Sequence, residues 1–318
     1  MPCPATFQTP ADKAFTVCIV IPTFNRADVV IRCLEHLERQ TFTDFEVVMV
    51  DDGSTDRTPQ LIERYLATSP LRLRYVRQAN SGPATARNRA ISMTRAKLCI
   101  IIGDDILAIP EFVAIHVQFH RDNPAVQDAA LGLTTWSEAG QTVTPFMRWM
   151  ETGFQFDYVN LRAGRAPDWR HFYTSNLSVK TELLHRHPFD ERFRKALMED
   201  MELGYRIQAR EGLRLVFLPE ALAEHIHPMK LRQACRRAQD IGRTSLFFEK
   251  LWPEATQTQP RRLRQFCGDI LGRNPWILRP LTWMTDMLTR FWCPNPLLGL
   301  TLAAHAAVGR RSRDRSVL

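Results

Sequence analysis

The sequence contains no long apolar run, no closely spaced cysteines and no glycine-rich phosphate loop. Its nearest approach to a membrane-spanning segment, Leu297–Val308, is twelve residues long and includes His305, which is too short to cross a bilayer. The seven cysteines lie at least fifteen residues apart, and this spacing excludes a CxxC zinc or redox pair and argues against a disulfide framework. No two of the fourteen glycines are separated by a single residue, so the GxGxxG signature of a dinucleotide-dependent oxidoreductase is absent.

The first residues do not show the pattern of a secretory leader. The segment MPCPATFQTPADK has no basic stretch followed by an apolar one, so we expect no signal peptide and a reduced, cytoplasmic protein. Cys18 and Cys99 lie inside apolar runs, and we expect both to be buried thiols.

The positive charge is concentrated in the C-terminal region. Residues 1–227 hold 26 basic and 28 acidic side chains, whereas residues 228–318 hold 16 and 6, so the net charge of +8 comes from the latter. The arginines there are scattered and form no recognised nucleic-acid-binding motif, and we therefore predict no nucleic-acid partner. An anionic membrane surface is the partner that we expect for this charge.

The first hundred residues alternate short apolar strands with helix-like segments. Continuous β-branched or apolar runs predict strands at 16–21, 45–50, 71–76 and 98–102, each buried on both faces. Helical spacing of apolar residues between them predicts α/β units and a mostly parallel sheet. Ser81 is placed to cap the helix that begins at Pro83.

Acidic residues follow these strands at the edge where ligands of parallel sheets bind. Asp51-Asp52 ends the second strand, Asp104-Asp105 follows the fourth, and Glu199-Asp200 opens a later helix. Carboxylates gathered at one edge repel one another unless they hold a cation or a substrate. His225 and His227 follow another predicted strand and could complete a site for Mg²⁺ or Mn²⁺.

Seven segments in order resemble the motifs of family 2 glycosyltransferases. They cover roughly residues 15–230 and read Val17–Arg26, Val47–Asp56, Asn80–Asn88, Gly103–Asp105, Ser175–Lys180, Phe189–Glu191 and Glu199–Arg206. The resemblance implies a GT-A fold with a Rossmann-like central sheet and flanking helices. It also implies an inverting transfer from a nucleotide-diphosphate-sugar, with a UDP-sugar favoured, to an acceptor hydroxyl, and a divalent cation, Mn²⁺ or Mg²⁺.

The resemblance also assigns roles to individual residues. Asp200 matches the catalytic base, and Glu199 is expected to assist acceptor binding. The residues expected to bind the nucleotide-sugar are Pro22, Thr23, Arg26, Asp52, Arg87 and Asp104, with Asp52 accepting a hydrogen bond from a uracil-type base. The metal ligands are expected to be Asp105 and His225, with His227 as the alternative to His225.

Gly103 stands where many members of this family carry the first aspartate, so one anionic metal ligand is missing. Because of that departure, an alternative hypothesis stays open, in which the protein is an inactive GT-A-like scaffold or a module that only binds sugar-nucleotides. His116 and His120 lie one turn apart on a predicted helix without the glutamate of a zinc motif, and we expect both at the surface.

We predict an N-terminal tail at 1–14, a catalytic domain at 15–230 and a basic helical extension at 231–318. Within the extension, Leu281, Trp283, Met284, Met287, Leu288, Phe291 and Trp292 lie largely along one helical face. Two interpretations stay open: the helix packs on the catalytic domain, or it lies on the cytoplasmic leaflet. The second interpretation suits a lipid-linked acceptor in polysaccharide or glycolipid assembly.

Overall fold

The computed structural model describes residues 15–257, 263–289 and 292–312; the predicted tail and Phe291 lie outside them. The strands are β1 (Val17–Thr23), β2 (Phe45–Asp51), β3 (Leu73–Arg77), β4 (Leu98–Ile102), β5 (Ile106–Ala108), β6 (Asp128–Trp136), β7 (Asn176–Lys180) and β8 (Arg214–His225). The helices are α1 (Val30–Glu38), α2 (Thr58–Leu66), α3 (Pro83–Ser92), α4 (Phe112–Asp122), α5 (Pro145–Met150), α6 (Tyr158–Arg162), α7 (Thr181–Arg186), α8 (Glu199–Glu211), α9 (Leu231–Leu251), α10 (Pro253–Gln257), α11 (Leu263–Leu271), α12 (Pro275–Leu288) and α13 (Asn295–Arg311). A single 3₁₀ turn, Trp169–His171, also falls within the described ranges.

All eight strands form one sheet in the order β3-β2-β1-β4-β7-β6-β8-β5. The four strands predicted from the first hundred residues pair in parallel, and β6 pairs with β8 in parallel too. Strand β7 runs antiparallel between β4 and β6, and β5 runs antiparallel to β8. The mostly parallel α/β sheet that we predicted is therefore confirmed.

The buried strands fix the register of the sheet. Strand β1 is almost wholly buried, and its residues Val17 and Thr23 stand opposite Phe45 and Asp51 of β2. Each fully buried valine or isoleucine contributes about 1.5–3 kcal/mol relative to exposure, and a slip by one residue would turn every side chain to the other face. Thr23 and Asp51 consequently end their strands side by side. Cys18 and Cys99 are buried free thiols, as expected.

The described chain divides into two compact units. The first comprises the residues up to Gly140 together with Tyr158–His227, and it contains the whole sheet. The second comprises Gln141–Asp157 and the residues from Pro228 onward, and the predicted helical C-terminal region is confirmed. None of the helices within the described ranges has the length and apolar content needed to cross a membrane.

Helices α9 and α13 of the second unit touch backbone to backbone. A Cβ atom added at Gly242 would lie 2.0 Å from the carbonyl oxygen of Ala306, and one added at Gly309 would lie 1.9 Å from that of Gln239. No side chain fits in either gap, so the two glycines set how closely these helices approach.

Candidate active site at the carboxyl ends of the strands

The loops that follow β1 and β2 are joined by hydrogen bonds. The Asn25 backbone N–H donates to the Ser54 hydroxyl (2.9 Å), and the Asn25 side-chain oxygen accepts from the Thr55 N–H (2.8 Å). Asn25 has a left-handed backbone (φ 54°), which asparagine tolerates better than most residues. The Arg26 N–H donates to the Thr58 hydroxyl (2.8 Å), so the start of α2 holds Arg26 in place.

Most hydrogen-bond acceptor positions of the Asp52 carboxylate are filled by donors of the chain itself. Its carboxylate accepts hydrogen bonds from the Gln78 side chain and from the Ser81 and Gly82 backbone N–H groups, each at 2.8 Å. The predicted capping role of Ser81 is wrong, because Gly82 occupies the N-cap position of α3 and no side chain caps it. A carboxylate offers about four acceptor positions, so about one position remains for a ligand.

Arg26 pairs with both carboxylates that follow β4. Its Nε lies 3.2 Å from Asp104 Oδ1, and its Nη2 lies 3.3 Å from Asp105 Oδ2. Burial and the adjacent charge of Asp105 raise the pKa of Asp104 to about 7, although the positive charge of Arg26 offsets part of this rise. Burial alone would raise the pKa of Asp105 too, but His225, His227 and Arg26 hold it well below its ordinary value.

His225 and His227 both lie at Asp105. His225 Nε2 is 3.2 Å from Asp105 Oδ1, and His227 Nδ1 is 3.3 Å from Asp105 Oδ2. The pairing of β5 with β8 brings them there, since Ile106 stands opposite His225. The structure therefore brings both histidines to the same carboxylate.

The ligand atoms of Asp105, His225 and His227 lie within 4.8 Å of one another. One carboxylate and two imidazoles form a donor set suited to a divalent transition ion, because imidazole nitrogen favours such ions over Mg²⁺. The residues present therefore fit a divalent transition ion better than Mg²⁺. Trp136 stacks flat on His225, with ring centroids 5.3 Å apart and an interplanar angle of 6°, which fixes the orientation of that imidazole.

Gly103 leaves room for the Asp105 side chain. A Cβ atom at position 103 would lie 2.8 Å from Asp105 Oδ1, closer than carbon and oxygen atoms normally pack. A side chain at position 103 would therefore require the Asp105 carboxylate to shift. The glycine is thus part of the geometry of this Asp-His-His group.

Arg87 and Glu199 form a buried ion pair with each other. Arg87 Nη1 lies 2.7 Å from Glu199 Oε1, and their side chains are only 7% and 2% exposed. The Arg87 guanidinium also covers the Phe189 ring at 5.3 Å. This pair ties α3 to the first turn of α8, which carries Asp200 at its second position.

Met198, immediately before α8, has a left-handed backbone (φ 66°). Among the described residues, only Asn25 and Met198 combine a side chain with positive φ, and each adjoins residues that we expected in the site. Such conformations cost about 1–3 kcal/mol and cluster at functional sites. Asp200 Oδ1 accepts the Met201 N–H at 2.8 Å, within the first turn of its own helix.

The structure brings most of the predicted residues to one edge of the sheet. We call Arg26, Asp52, Asp104, Asp105, His225 and His227 the strand-edge cluster. Sequence reasoning missed Gln78 and Trp136, which carry no motif and reach the cluster only through strand register. The predicted surface position of His116 is wrong: it is fully buried, with its ring nitrogens 2.9 Å from the Ser178 hydroxyl and 3.0 Å from the Asn176 side-chain oxygen.

Comparison with known proteins gives a consistent match. Residues 18–172 match the family model described as glycosyl transferase family 2. The chain is 33% identical over 218 residues to a validoxylamine A glucosyltransferase of Streptomyces hygroscopicus subsp. jinggangensis. The match covers 60% of this chain and 51% of that protein. A second such enzyme, from subspecies limoneus, is 32% identical with 47% of its length covered. The chain thus spans about half the length of these relatives.

Two solved structures share the fold. A mannosyltransferase of Pyrobaculum calidifontis, in complex with GDP-Man and Mn²⁺, superposes with a TM-score of 0.56 at 20% identity, covering 95% of this chain and 77% of that one. TarS 1–349 of S. aureus, in complex with UDP, gives 0.50 at 17% identity, covering 95% and 90%. The predicted GT-A fold is therefore confirmed.

Proposed function

This chain belongs to glycosyltransferase family 2 through residues 18–172, and from that premise we propose that it transfers a sugar from a nucleotide-diphosphate-sugar to an acceptor hydroxyl with inversion. The observation that carries the proposal is the Asp105-His225-His227 group beside Arg26 at the carboxyl edge of the sheet. Ligands of such sheets bind beyond the strand ends, and a diphosphate needs positive charge, which Arg26 and a cation held by this group would supply.

We propose uridine as the nucleoside. Because three acceptor positions of the Asp52 carboxylate are filled from within the chain, Asp52 suits a base that presents one N–H at this edge. Uracil does so, whereas guanine presents two adjacent donors, an N–H and an amino group. Pro22 and Thr23, at the end of β1, are proposed to line the same pocket.

Asp105, His225 and His227 would hold a divalent cation, with Mn²⁺ favoured by the two imidazoles. When bound, the cation would supply Lewis-acid stabilisation of the leaving diphosphate. Arg26 is about one third exposed and adds a fixed guanidinium at the same edge, which favours the phosphate oxygens. Asp104 supports Arg26 through their ion pair.

Asp200 is proposed as the general base that takes the proton from the attacking acceptor hydroxyl. A single displacement assisted by one base inverts the anomeric centre. The Arg87–Glu199 pair is buried, so we propose that these two residues position the first turn of α8 and do not themselves contact donor or acceptor. The acceptor is proposed to be a hydroxyl of a growing polysaccharide or glycolipid.

The competing reading, an inactive scaffold, depended on the absence of an aspartate at position 103. The structure gives Gly103 a different reason, because a side chain there would collide with Asp105. The Asp-His-His group offers three ligand atoms without it, and this observation supports the enzyme.

The proposal is tested by isothermal titration with UDP, with and without Mn²⁺, and by a thermal-shift screen of UDP-, GDP- and dTDP-sugars. We expect Mn²⁺ to tighten UDP binding and a UDP-sugar to raise the melting temperature most. Asp105→Asn should abolish the Mn²⁺ effect, while Asp122→Asn, the same change at the far end of α4, should keep it. UDP affinity that is indifferent to Mn²⁺ and to Asp105→Asn would leave the scaffold as the better account.

A further inference from the structure

Helix α12 presents five large apolar side chains to solvent and the Thr285 hydroxyl to the protein. Trp276 is 87% exposed and Trp283 is 63% exposed, and Ile277, Met284 and Met287 are exposed as well. We call these five residues the α12 apolar face. In a helix of 3.6 residues per turn they occupy one side, so the α12 apolar face is continuous.

The opposite side of α12 is held to α13 by hydrogen bonds. The Thr285 hydroxyl lies 3.1 Å from that of Thr301, and the Thr282 hydroxyl lies 3.0 Å from His305 Nε2. Thr285 is fully buried. These hydrogen bonds, together with the buried side chain of Leu278, hold the inner side of α12 against the protein and leave the α12 apolar face outside.

Apolar exposure is concentrated in this part of the chain. Of the eleven large hydrophobic residues that are exposed within the described ranges, eight lie between Phe266 and Trp292. A monomeric soluble protein rarely leaves a contiguous apolar patch of this kind uncovered unless it binds something.

The charge around the patch is positive. Arg273 and Arg279 are exposed beside Trp276, whereas Asp286, the acidic residue of α12, is half-buried. Its carboxylate, after burial itself, contributes to raising the pKa of Cys235 on α9 to about 12. Exposed arginines next to tryptophan and methionine match the composition of helices that lie in the interface of anionic bilayers.

We propose that the α12 apolar face docks on an anionic phospholipid surface, with Trp276 and Trp283 inserted at the headgroup level and Arg273 and Arg279 on the lipid phosphates. A binding site for a lipid surface follows from the second unit alone. It does not depend on the sugar-transfer reaction, although it would bring the enzyme to a lipid-linked acceptor.

The test is co-sedimentation of the full chain with vesicles of phosphatidylcholine alone or of equal parts phosphatidylcholine and phosphatidylglycerol. We expect binding to the anionic vesicles that weakens with salt. The double variant Trp276→Glu/Trp283→Glu should lower the partition coefficient by about tenfold or more. Arg279→Gln should lower it by about fivefold on anionic vesicles only.

Val159→Glu is the matched control, since Val159 is 52% exposed in the first unit; it should bind vesicles like the unaltered chain. Thermal melts and UDP titration of each variant show that folding and the strand-edge cluster are intact, so a failure here is distinct from a failure of the proposed reaction. Equal binding of the double variant and the unaltered chain would overturn the proposal. So would a concentration-dependent dimer that the double variant dissociates, with no vesicle binding, because a second copy would then cover the patch.

Discussion

The strand-edge cluster and helix α12 depart from the usual distribution of side chains in opposite directions. At the sheet edge, Asp104 and Asp105 are each only 5% exposed, and their charge is kept inside. On α12, tryptophan is left in solvent while threonine is buried. Ordinary globular surfaces and cores do the reverse.

The two departures have different energetic consequences. A buried charge lowers the stability of the fold unless its partner stays in place. The buried carboxylates at the sheet edge therefore depend on ion pairs that the fold must maintain. An exposed tryptophan costs little in the folded chain, because it is equally exposed when the chain unfolds. We therefore expect substitutions at the two regions to differ sharply in their effect on stability, and the predictions below test that contrast.

The largest effect is expected at the buried pair of Arg87 and Glu199. Arg87→Met leaves the Glu199 carboxylate buried without its partner and should lower the free energy of unfolding by about 3–5 kcal/mol. Urea denaturation of the variant measures this loss. Adding Glu199→Leu should restore most of the stability, and a double variant as unstable as the sum of the single variants would contradict the ion-pair account.

The next effect concerns chemistry. Asp200→Asn removes the proposed base and should lower kcat by about two to three orders of magnitude, with UDP affinity and melting temperature unchanged. Asp122→Asn provides the matched control. Turnover within a small factor of the unaltered enzyme would show that Asp200 is not the base.

A third test concerns the buried polar residues behind the sheet edge. Burial lowers the pKa of His116 from 6.5 to about 4, so the folded state keeps this histidine neutral while the unfolded chain takes up a proton below pH 6.5. Stability is therefore fully present above pH 6.5 and falls with pH, by about 3 kcal/mol at pH 4. His116→Gln should flatten that part of the stability curve, measured by urea denaturation across this range. Parallel curves for both proteins would contradict the assignment.

A fourth test separates ligands from neighbours within the strand-edge cluster. His227→Ala should weaken Mn²⁺-dependent UDP binding by at least about tenfold, and His225→Ala should do the same, because both imidazoles contact Asp105. Titration calorimetry measures both. His185→Ala, on α7, is the control; a variant at His227 that behaves like this control would leave His225 as the only imidazole ligand.

The smallest effects are expected on α12 and complete the contrast. Trp283→Gln should change the free energy of unfolding by less than about 0.5 kcal/mol, as for other exposed positions. Thr285→Val, which breaks the buried contact with Thr301, should cost about 1 kcal/mol. Denaturation curves that reverse this order would mean that the α12 apolar face is covered in solution.

Much of the first region could be predicted because its strands carry unambiguous patterns. The β-branched run ending at Pro22 and the apolar run 98–102 could only be buried strands, and parallel strands end at a common edge. The convergence of Asp52, Asp104 and Asp105 followed from that. The three-residue strand β5 was too short to show a pattern, although it carries the pairing that delivers His225.

Other features depended on contacts between distant residues. His116 was misplaced because its partners, Asn176 and Ser178, lie about sixty residues away in sequence. On α12 the spacing of apolar residues placed Trp283, Met284 and Met287 on one side, and all three are exposed, but periodicity cannot say which side meets the protein. The contacts of α12 with the Thr301 hydroxyl and the His305 ring determine which side faces the protein. No pattern within the α12 sequence indicates these contacts.

The closeness of Asp105 to Gly103 limits how the proposed enzyme could be redesigned. An engineer who wished to shift the cation preference towards Mg²⁺ would add a second oxygen donor, and position 103 is the obvious choice. The atom that such a change introduces would meet Asp105 Oδ1 at 2.8 Å before it reached any ion. Adding an oxygen there would require the Asp105 carboxylate to shift, so a change of metal preference would involve Asp105 as well as position 103.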